Sequence, residues 1–278
     1  MNMNMNMDKD KDSIGDPWRA LQGQVDVVTG GASGIGAECV RTLRRVGVHV
    51  VAADLRFAAV PMADEEADRP PGTLTRQPCD VSSEEDVRAL FAAVAQQHGR
   101  LDILINSAGV LEPVAKTLAQ ELSIWEKVIS VNLKGSFLTC REAGRSMVAQ
   151  RSGTIINIGS VAGQLAVPAS NAYGPSKAGV AHMTRSLAGE WARLGVRVNC
   201  IAPGYIAAPM SDALFEGNEA LQAAALSRVP MGRMGRPEDI AQTALFLCSP
   251  MAAYITGTVF PVDGGWSAMG GPSRPAMG

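Results

Sequence analysis

Tyr173 and Lys177 stand four residues apart in the stretch NAYGPSKAG, Asn171 to Gly179. On a helix, residues four apart share a face, one turn above the other. A free phenol ionises near pH ~10, too high for a base at neutral pH. An ammonium beside it favours the phenolate and lowers that value. A phenol tuned in this way can take a proton from a hydroxyl group and return it in the reverse direction. Ser160, in NIGSVAG upstream of the pair, can hold the reacting oxygen by a hydrogen bond. A Tyr/Lys pair at this spacing is common on helix surfaces, so the surrounding elements have to decide whether these residues meet at a site.

Those elements alternate along the chain. Short apolar runs at VDVVTG, VHVVAAD, LTRQPCD, LDILINSAG, TIINIGS, VRVNCIAPG and TVFPVDGG read as strands. Most carry apolar residues on both faces, as strands of a parallel sheet covered on both sides do. Helical patterns lie between them. SSEEDVRALFAAVAQQHG opens with serines and acids and stops at Gly99. Glu121–Gln150 reads as one long helix and Asn171–Leu194 as another, and PEDIAQTALFLCS starts with a first-turn proline. This alternation predicts an α/β fold, a doubly wound Rossmann domain with a central seven-stranded parallel sheet flanked by helices on both faces. No Gly/Pro/Ser-rich linker divides it, so residues 21–268 read as one domain. The polar MNMNMNMDKDKDS segment places residues 1–20 in a disordered tail, and 269–278 read as a second. His49 reads as a packed core residue, and Asp26 interrupts the first strand at its wet start.

The first strand runs into TGGASGIG, Thr29 to Gly36, and then into a helix. Gly30 and Gly34 let backbone approach a pyrophosphate, Gly36 lets helix pack on strand, and Ser33 and Ile35 complete the turn. Phosphates would sit at the helix N-terminus, where free N–H groups favour negative charge. Asp54, followed by Leu55, ends the second strand, where a carboxylate can hold both ribose hydroxyls of NAD and repel the 2′-phosphate of NADP. This predicts NAD, with NADP the lesser candidate through the nearby Arg56. A nicotinamide turns the phenol chemistry into a redox reaction: hydride leaves an alcohol carbon as Tyr173 takes the hydroxyl proton.

In this order the pieces resemble the short-chain dehydrogenase/reductase family over roughly Leu21 to Trp266. The matching motifs are TGGASGIG, CDV at Cys79–Val81, NSAG at Asn106–Gly109, VNLKG at Val131–Gly135, Ser160, the Y-x-x-x-K of Tyr173 and Lys177, PGYI at Pro203–Ile206 and GRPEDIA…VDGG. The resemblance implies that Asp80 and Val81 lie at the adenine and that Asn106, Ala108 and Gly109 pass the adenosine ribose, chiefly through backbone. It implies that Asn132 holds a water linking Lys177 to solvent, and that Asn132, Ser160, Tyr173 and Lys177 form the catalytic set. Lys177 would also hydrogen-bond the nicotinamide ribose, and Pro203, Gly204 and Ile206 would line the nicotinamide. Two departures stand out: Ser107 replaces an asparagine, and Ala208 stands where the family often has a threonine.

By the same resemblance, 207–230 forms a lid over the substrate. The substrate set is Ser160, Gln164, Leu165, Tyr173, Tyr205 and Met210, with Val110, Leu111 and Val161 near it. Its apolar character favours a small to medium secondary alcohol or ketone, while Glu112 and Gln164 could read polyol hydroxyls. The resemblance also implies a homotetramer. One alternative is a 3-oxoacyl-(acyl-carrier-protein) reductase using NADPH, for which Arg145, Arg151, Arg193 and Arg233 leave a basic docking patch open. An alternative of another class is a non-catalytic NAD-binding sensor or scaffold, which would typically lack the tyrosine or the lysine.

Bulk properties exclude other classes. The net charge is −2, and no Lys/Arg run tracks a phosphate backbone or an anionic membrane. No nucleic-acid or membrane partner is expected. The five cysteines show no C-x-x-C spacing and the three histidines no metal-ligand spacing, so neither a disulfide framework nor a metal is expected. A reducing cytoplasm is the predicted location.

Overall fold

The computed structural model describes residues 17–58 and 71–269. Most of the two predicted tails therefore lies outside the described residues. One part of the first does not: Arg19–Leu21 form a 3-10 turn, Leu21 is fully buried and Trp18 packs on the core. An apolar pair so close to the first strand is drawn into the core whatever the polar composition before it.

Seven parallel strands form one sheet in the order β3-β2-β1-β4-β5-β6-β7. They are β1 (Val25–Thr29), β2 (His49–Ala53), β3 (Leu74–Gln77), β4 (Ile103–Asn106), β5 (Gly153–Ile158), β6 (Val196–Pro203) and β7 (Val259–Val262). The register runs Val27 to Val51 on one side and Val27 to Leu104 on the other. The strand order reverses between β1 and β4, and the crevice at such a switch point is where ligands bind in open α/β sheets. One face of the sheet is covered by α1 (Gly34–Arg45) and α8 (Pro237–Cys248), whose Cys39, Leu43, Ile240 and Leu247 pack on Val28, Ile105 and Ile201. The other is covered by α2 (Glu84–His98), α4 (Gly135–Gln150) and α5 (Tyr173–Trp191), around Leu90, Met147 and Ala188. Strands buried on both faces explain the near-continuous apolar runs. Among the described residues no helix is long and apolar enough to cross a membrane.

Local signals account for the helix ends. Ser83 caps α2 by accepting from the Asp86 amide, and Gly99 closes it in the left-handed region at φ 68°. The predicted long helix is interrupted. It runs as α3 (Leu122–Ile129), a π-helical turn at Ser130–Lys134, and then α4. A π turn holds one extra residue, which hydrophobic periodicity does not register. The segment after β6 carries two short helices, α6 (Pro209–Phe215) and α7 (Glu219–Leu226).

Two sequence expectations are corrected. His49 is partly accessible, with its Nδ1 2.9 Å from Thr73 Oγ1 and its ring stacked on His98. Asp26 is fully buried, and neither carboxylate oxygen has a hydrogen-bond partner among the described residues. Burial, and the neighbouring charge of Asp102, push its ionisation well above the usual carboxylate range. The central position of β1 leaves this side chain no route to water.

Asp26→Val should therefore raise the melting temperature, gaining about 1–3 kcal/mol by removing a buried unsatisfied polar group. Because the folded pKa is raised, the native chain keeps its full stability below the unfolded value near ~3.9 and loses it as pH rises through the folded value. Calorimetry from pH 5 to 8 should show the variant's advantage widening with pH. A constant gap would mean that Asp26 ionises in the fold as it does in the unfolded chain.

Candidate active site

The glycine turn closes at the switch point. Gly30 takes φ 68°, and a Cβ there would stand 2.8 Å from the Ala108 amide nitrogen. A Cβ on Gly36 would stand 2.2 Å from the Gly30 carbonyl oxygen. Both positions therefore need glycine for the turn to sit against β4. Thr29 fastens the other side: its buried Oγ1 accepts from the amides of Ser107 and Ala108, each at 3.2 Å. Ser33 is the extended N-cap of α1, and Ile35 packs on the core. Asp54 is nearly buried. It accepts from Ala32 N through Oδ2 at 3.1 Å and from Arg56 N through Oδ1 at 2.9 Å. The Arg56 guanidinium reaches back into the turn and donates to Ser33 Oγ at 2.7 Å. Leu55 is 62% exposed, a flat apolar surface at the rim.

Further along the crevice, Asp80 Oδ1 accepts from both Ser82 N and Ser82 Oγ, and Val81 is buried beside it. The Asn106 side chain points inward. Its Nδ2 donates to Asn157 Oδ1 at 2.9 Å and its Oδ1 accepts from Thr139 Oγ1 at 2.6 Å. Its side chain is thus engaged inside the sheet, leaving its backbone toward the crevice. A Cβ on Gly109 would meet Asn132 Oδ1 at 3.3 Å and Lys177 Nζ at 3.5 Å, so glycine keeps open the space beside the lysine. On the far side, Gly34 faces Ala208, whose Cβ would be 3.6 Å from a Cβ on the glycine. Gly204 abuts Asp263 just past Pro203, and Ile206 bridges Gly235. These cleared positions, running from Asp54 to Ile206, fit a dinucleotide laid across the strand ends.

The catalytic candidates converge behind that space. Lys177 is 5% exposed, and its Nζ donates to the Ile158 carbonyl at 2.8 Å and lies 5.6 Å from the centre of the Tyr173 ring. Burial lowers its pKa to about 8, only partly countered by Cys200. Ser160 Oγ accepts from Ala162 N at 3.1 Å and lies near enough to the Tyr173 phenol to favour its ionised form. The phenol itself departs from the sequence expectation. Burial raises its pKa, Ser160 lowers it and Glu112 raises it, so the net direction is up. Lys177 does not reverse this, because its charge sits against the ring and the Ile158 carbonyl.

Asn132 lies within the π turn, fully buried. Its Oδ1 accepts from Val110 N at 2.8 Å, and its Nδ2 donates to Val110 O and Ser176 Oγ, both at 3.0 Å. Both amide hydrogens are engaged, so a water on this side chain would have only the second lone pair of Oδ1.

The predicted substrate residues divide into two groups. Ser160 and Tyr173 are at the centre, whereas Gln164, Leu165 and Met210 lie exposed at the rim. Tyr205 is packed between Phe215 and Trp266, at 5.6 and 6.3 Å between ring centres, and so ties α6 to the chain after β7. A cavity of about 230 Å³ beside Tyr205 and Ile206 is lined by Met231, Arg233, Asp239 and Asp263; neither Ser160 nor Tyr173 borders it. Glu112 is not free to read a polyol, because its carboxylate accepts from the Ala172 and Tyr173 amides. Sequence reading missed this contact, and it missed the role of Thr29. It also missed Ser211, whose hydroxyl bonds to the carbonyls of Ile206 and Ala208 beside the position that lacks the threonine. Among the described residues no group of three His, Cys, Asp or Glu side chains could hold a metal.

The chain is similar to known proteins along nearly all of this framework. A family profile described as enoyl-(acyl carrier protein) reductase matches residues 30–267. The 3-oxoacyl-(acyl-carrier-protein) reductase FabG of Thermotoga maritima is 38% identical, over 88% of this chain and 98% of its own length. A galactitol 2-dehydrogenase (L-tagatose-forming) of Cereibacter sphaeroides is 39% identical, over 89% and 96%. A solved structure from Beutenbergia cavernae with bound NADP superposes with a TM-score of 0.85 at 36% identity, over 91% of this chain and 100% of the other. With the seven-stranded sheet, the glycine turn and the Ser/Tyr/Lys cluster in place, the chain belongs to the short-chain dehydrogenase/reductase family of oxidoreductases.

Proposed function

We propose that the protein is an NAD-preferring alcohol dehydrogenase/ketoreductase acting on a small to medium secondary alcohol or ketone, apolar or polyol-like, with Tyr173 as general acid/base. The observation that carries this reading is the convergence of Ser160, Tyr173 and the buried Lys177 beside the space held open by Gly109. A nicotinamide held there supplies the hydride donor or acceptor. Gly30, Ser33, Gly34, Ile35, Gly36, Asp54, Leu55, Asp80, Val81, Asn106, Ala108, Gly109, Pro203, Gly204 and Ile206 would hold the dinucleotide. Ser160 orients the substrate oxygen, and Tyr173 holds or takes its proton. Since neither Lys177 nor Ser160 overcomes the effect of burial on the phenol, its ionisation at neutral pH requires a further positive charge on the same side. Asn132 fixes the Val110 backbone, and 207–230 forms the lid through Tyr205 and Met210. The exposed Leu122, Trp125 and Phe137 on α3 and α4 support pairing of copies into a homotetramer.

A second reading, a 3-oxoacyl thioester reductase using NADPH, is favoured by one contact. Arg56 donates to Ser33 Oγ and so already lies across the turn where a 2′-phosphate would need a cation. Asp54 supports the first reading and Arg56 the second.

Absorbance at 340 nm over a panel of secondary alcohols, polyols, ketones and an acetoacetyl thioester, with NAD(H) and NADP(H), separates them. Turnover with NAD(H) that falls by about 10²-fold or more in Tyr173→Phe supports the first reading. Turnover of the thioester alone, with NADPH and lost in Arg56→Ala, supports the second. In the first case Asp54→Ser should move cofactor preference toward NADP, read also as binding by quenching of tryptophan fluorescence. The lysine adds a pH dependence. Its lowered pKa means that the free enzyme keeps the ammonium below about 8 and loses it above. kcat/KM for the cofactor should therefore decline above pH 8, and Lys177→Arg should move that limb upward. A profile flat to pH 10 would remove Lys177 from cofactor binding.

A further inference from the structure

The first turn of α5 carries Tyr173 at its leading position and has no side-chain cap of its own, because its N-cap is Ala172. Its free amides are nonetheless all provided for. Ala172 N donates to Glu112 Oε1 at 3.1 Å and Tyr173 N to Glu112 Oε2 at 2.9 Å. Gly174 N donates to Ser170 Oγ at 3.1 Å, Pro175 has no N–H, and Ser176 N already bonds Ala172 O. Glu112 is 8% exposed and comes from the loop after β4, two residues beyond Val110, whose backbone the Asn132 amide clamps. Trp125 of α3 adds a third tether, from its Nε1 to Asn171 O at 3.0 Å. A buried carboxylate accepting two amides at a helix N-terminus is a strong, charge-assisted arrangement.

We propose that Glu112 is a positioning residue for Tyr173: a carboxylate brought from the loop after β4 caps α5 and fixes where the phenol oxygen stands relative to Ser160 and Lys177. The inference rests on the reading of Tyr173 as general acid/base. It has an electrostatic consequence as well. The groups facing the phenol are Ser160 from the loop after β5, Lys177 from α5 itself, Cys200 of β6 acting through Lys177, and Glu112, which is the carboxylate that opposes ionisation of the phenol. The chain thus balances a cap that places the tyrosine against a charge that restrains it.

The test compares Glu112→Gln, Glu112→Asp and Ser170→Ala with the unaltered protein. Tyrosinate absorbance is titrated against Tyr173→Phe as the blank, which is practical because the chain has three tyrosines. This readout needs no substrate, so it stands even if the assigned reaction is wrong; activity retained in Tyr173→Phe would instead refute that assignment. Glu112→Gln should move the Tyr173 titration, and with it the acid limb of kcat/KM for alcohol oxidation, to lower pH. It should also lower kcat by roughly tenfold to 10²-fold, because the amide cannot accept from both N–H groups and the phenol shifts. Glu112→Asp keeps the charge but is one methylene shorter. It should leave the titration near the native position while kcat falls, and it serves as the test if the glutamine variant does not fold. Ser170→Ala removes a neutral cap from the same turn and should lower the melting temperature with neither limb nor titration moved. If Glu112→Gln behaves as Ser170→Ala does, or if Glu112→Asp keeps native kcat, Glu112 is an ordinary helix cap and the proposal fails.

Discussion

A buried ammonium organises this site. Taking the Lys177 Nζ out of water is expensive, and a charge so placed has to be met by dipoles or partners. The Ile158 carbonyl at the end of β5 meets it, and its pKa still falls to about 8. Everything around the lysine is built to bring that carbonyl and that helix together. Gly163 packs against the α5 backbone, where a Cβ would stand 2.6 Å from the Lys177 carbonyl carbon. Gly109 leaves the other side open. The strand end and the helix are joined further down by Asn157, which donates to Thr184 of α5 and accepts from Asn106 of β4. The sheet thereby hands a fixed reference point to the helix that carries the tyrosine.

This arrangement separates two tasks that the sequence motif presents as one. The lysine holds α5 to the sheet and faces the open crevice, while the ionisation of the phenol is governed mostly by burial and by Ser160 and Glu112. Burial thus holds the Tyr173 phenol protonated more firmly than a free tyrosine. At the other end of the crevice the Asp54 carboxylate accepts from Ala32 N and Arg56 N, while the Arg56 guanidinium donates to Ser33 and pairs with Asp54 Oδ1 at 3.7 Å.

Much of this was legible in the residues. The strands, the glycine turn and the Ser160/Tyr173/Lys177 cluster could be read because each depends on local spacing or on apolar period, and the sheet brings them together as that reading required. What escaped depends on contacts made across the fold. Glu112 is sixty and sixty-one positions from the two amides it caps, and Thr29 lies almost eighty from the amides it ties. Asp26 looked tolerable at the wet edge of a strand, because nothing in the residues beside it shows that α1 and α8 close over that point. The direction of the Tyr173 shift was also beyond reach, since it depends on depth in the structure and on where the ammonium points.

The π turn at Ser130–Lys134 has a consequence for how the chain tolerates length changes. Along a regular helix each residue advances the facing direction by about 100°. The turn absorbs one residue without passing that rotation on, so α3 keeps Trp125 toward Asn171 while α4 keeps Met147 and Cys140 in the core. Asn132 sits at the seam, on the bonds that hold the loop after β4. Removing a single residue there would leave a well-formed α-helix with its two halves out of phase. The break from regularity is what lets one rod serve two surfaces: the crevice at one end and the sheet at the other.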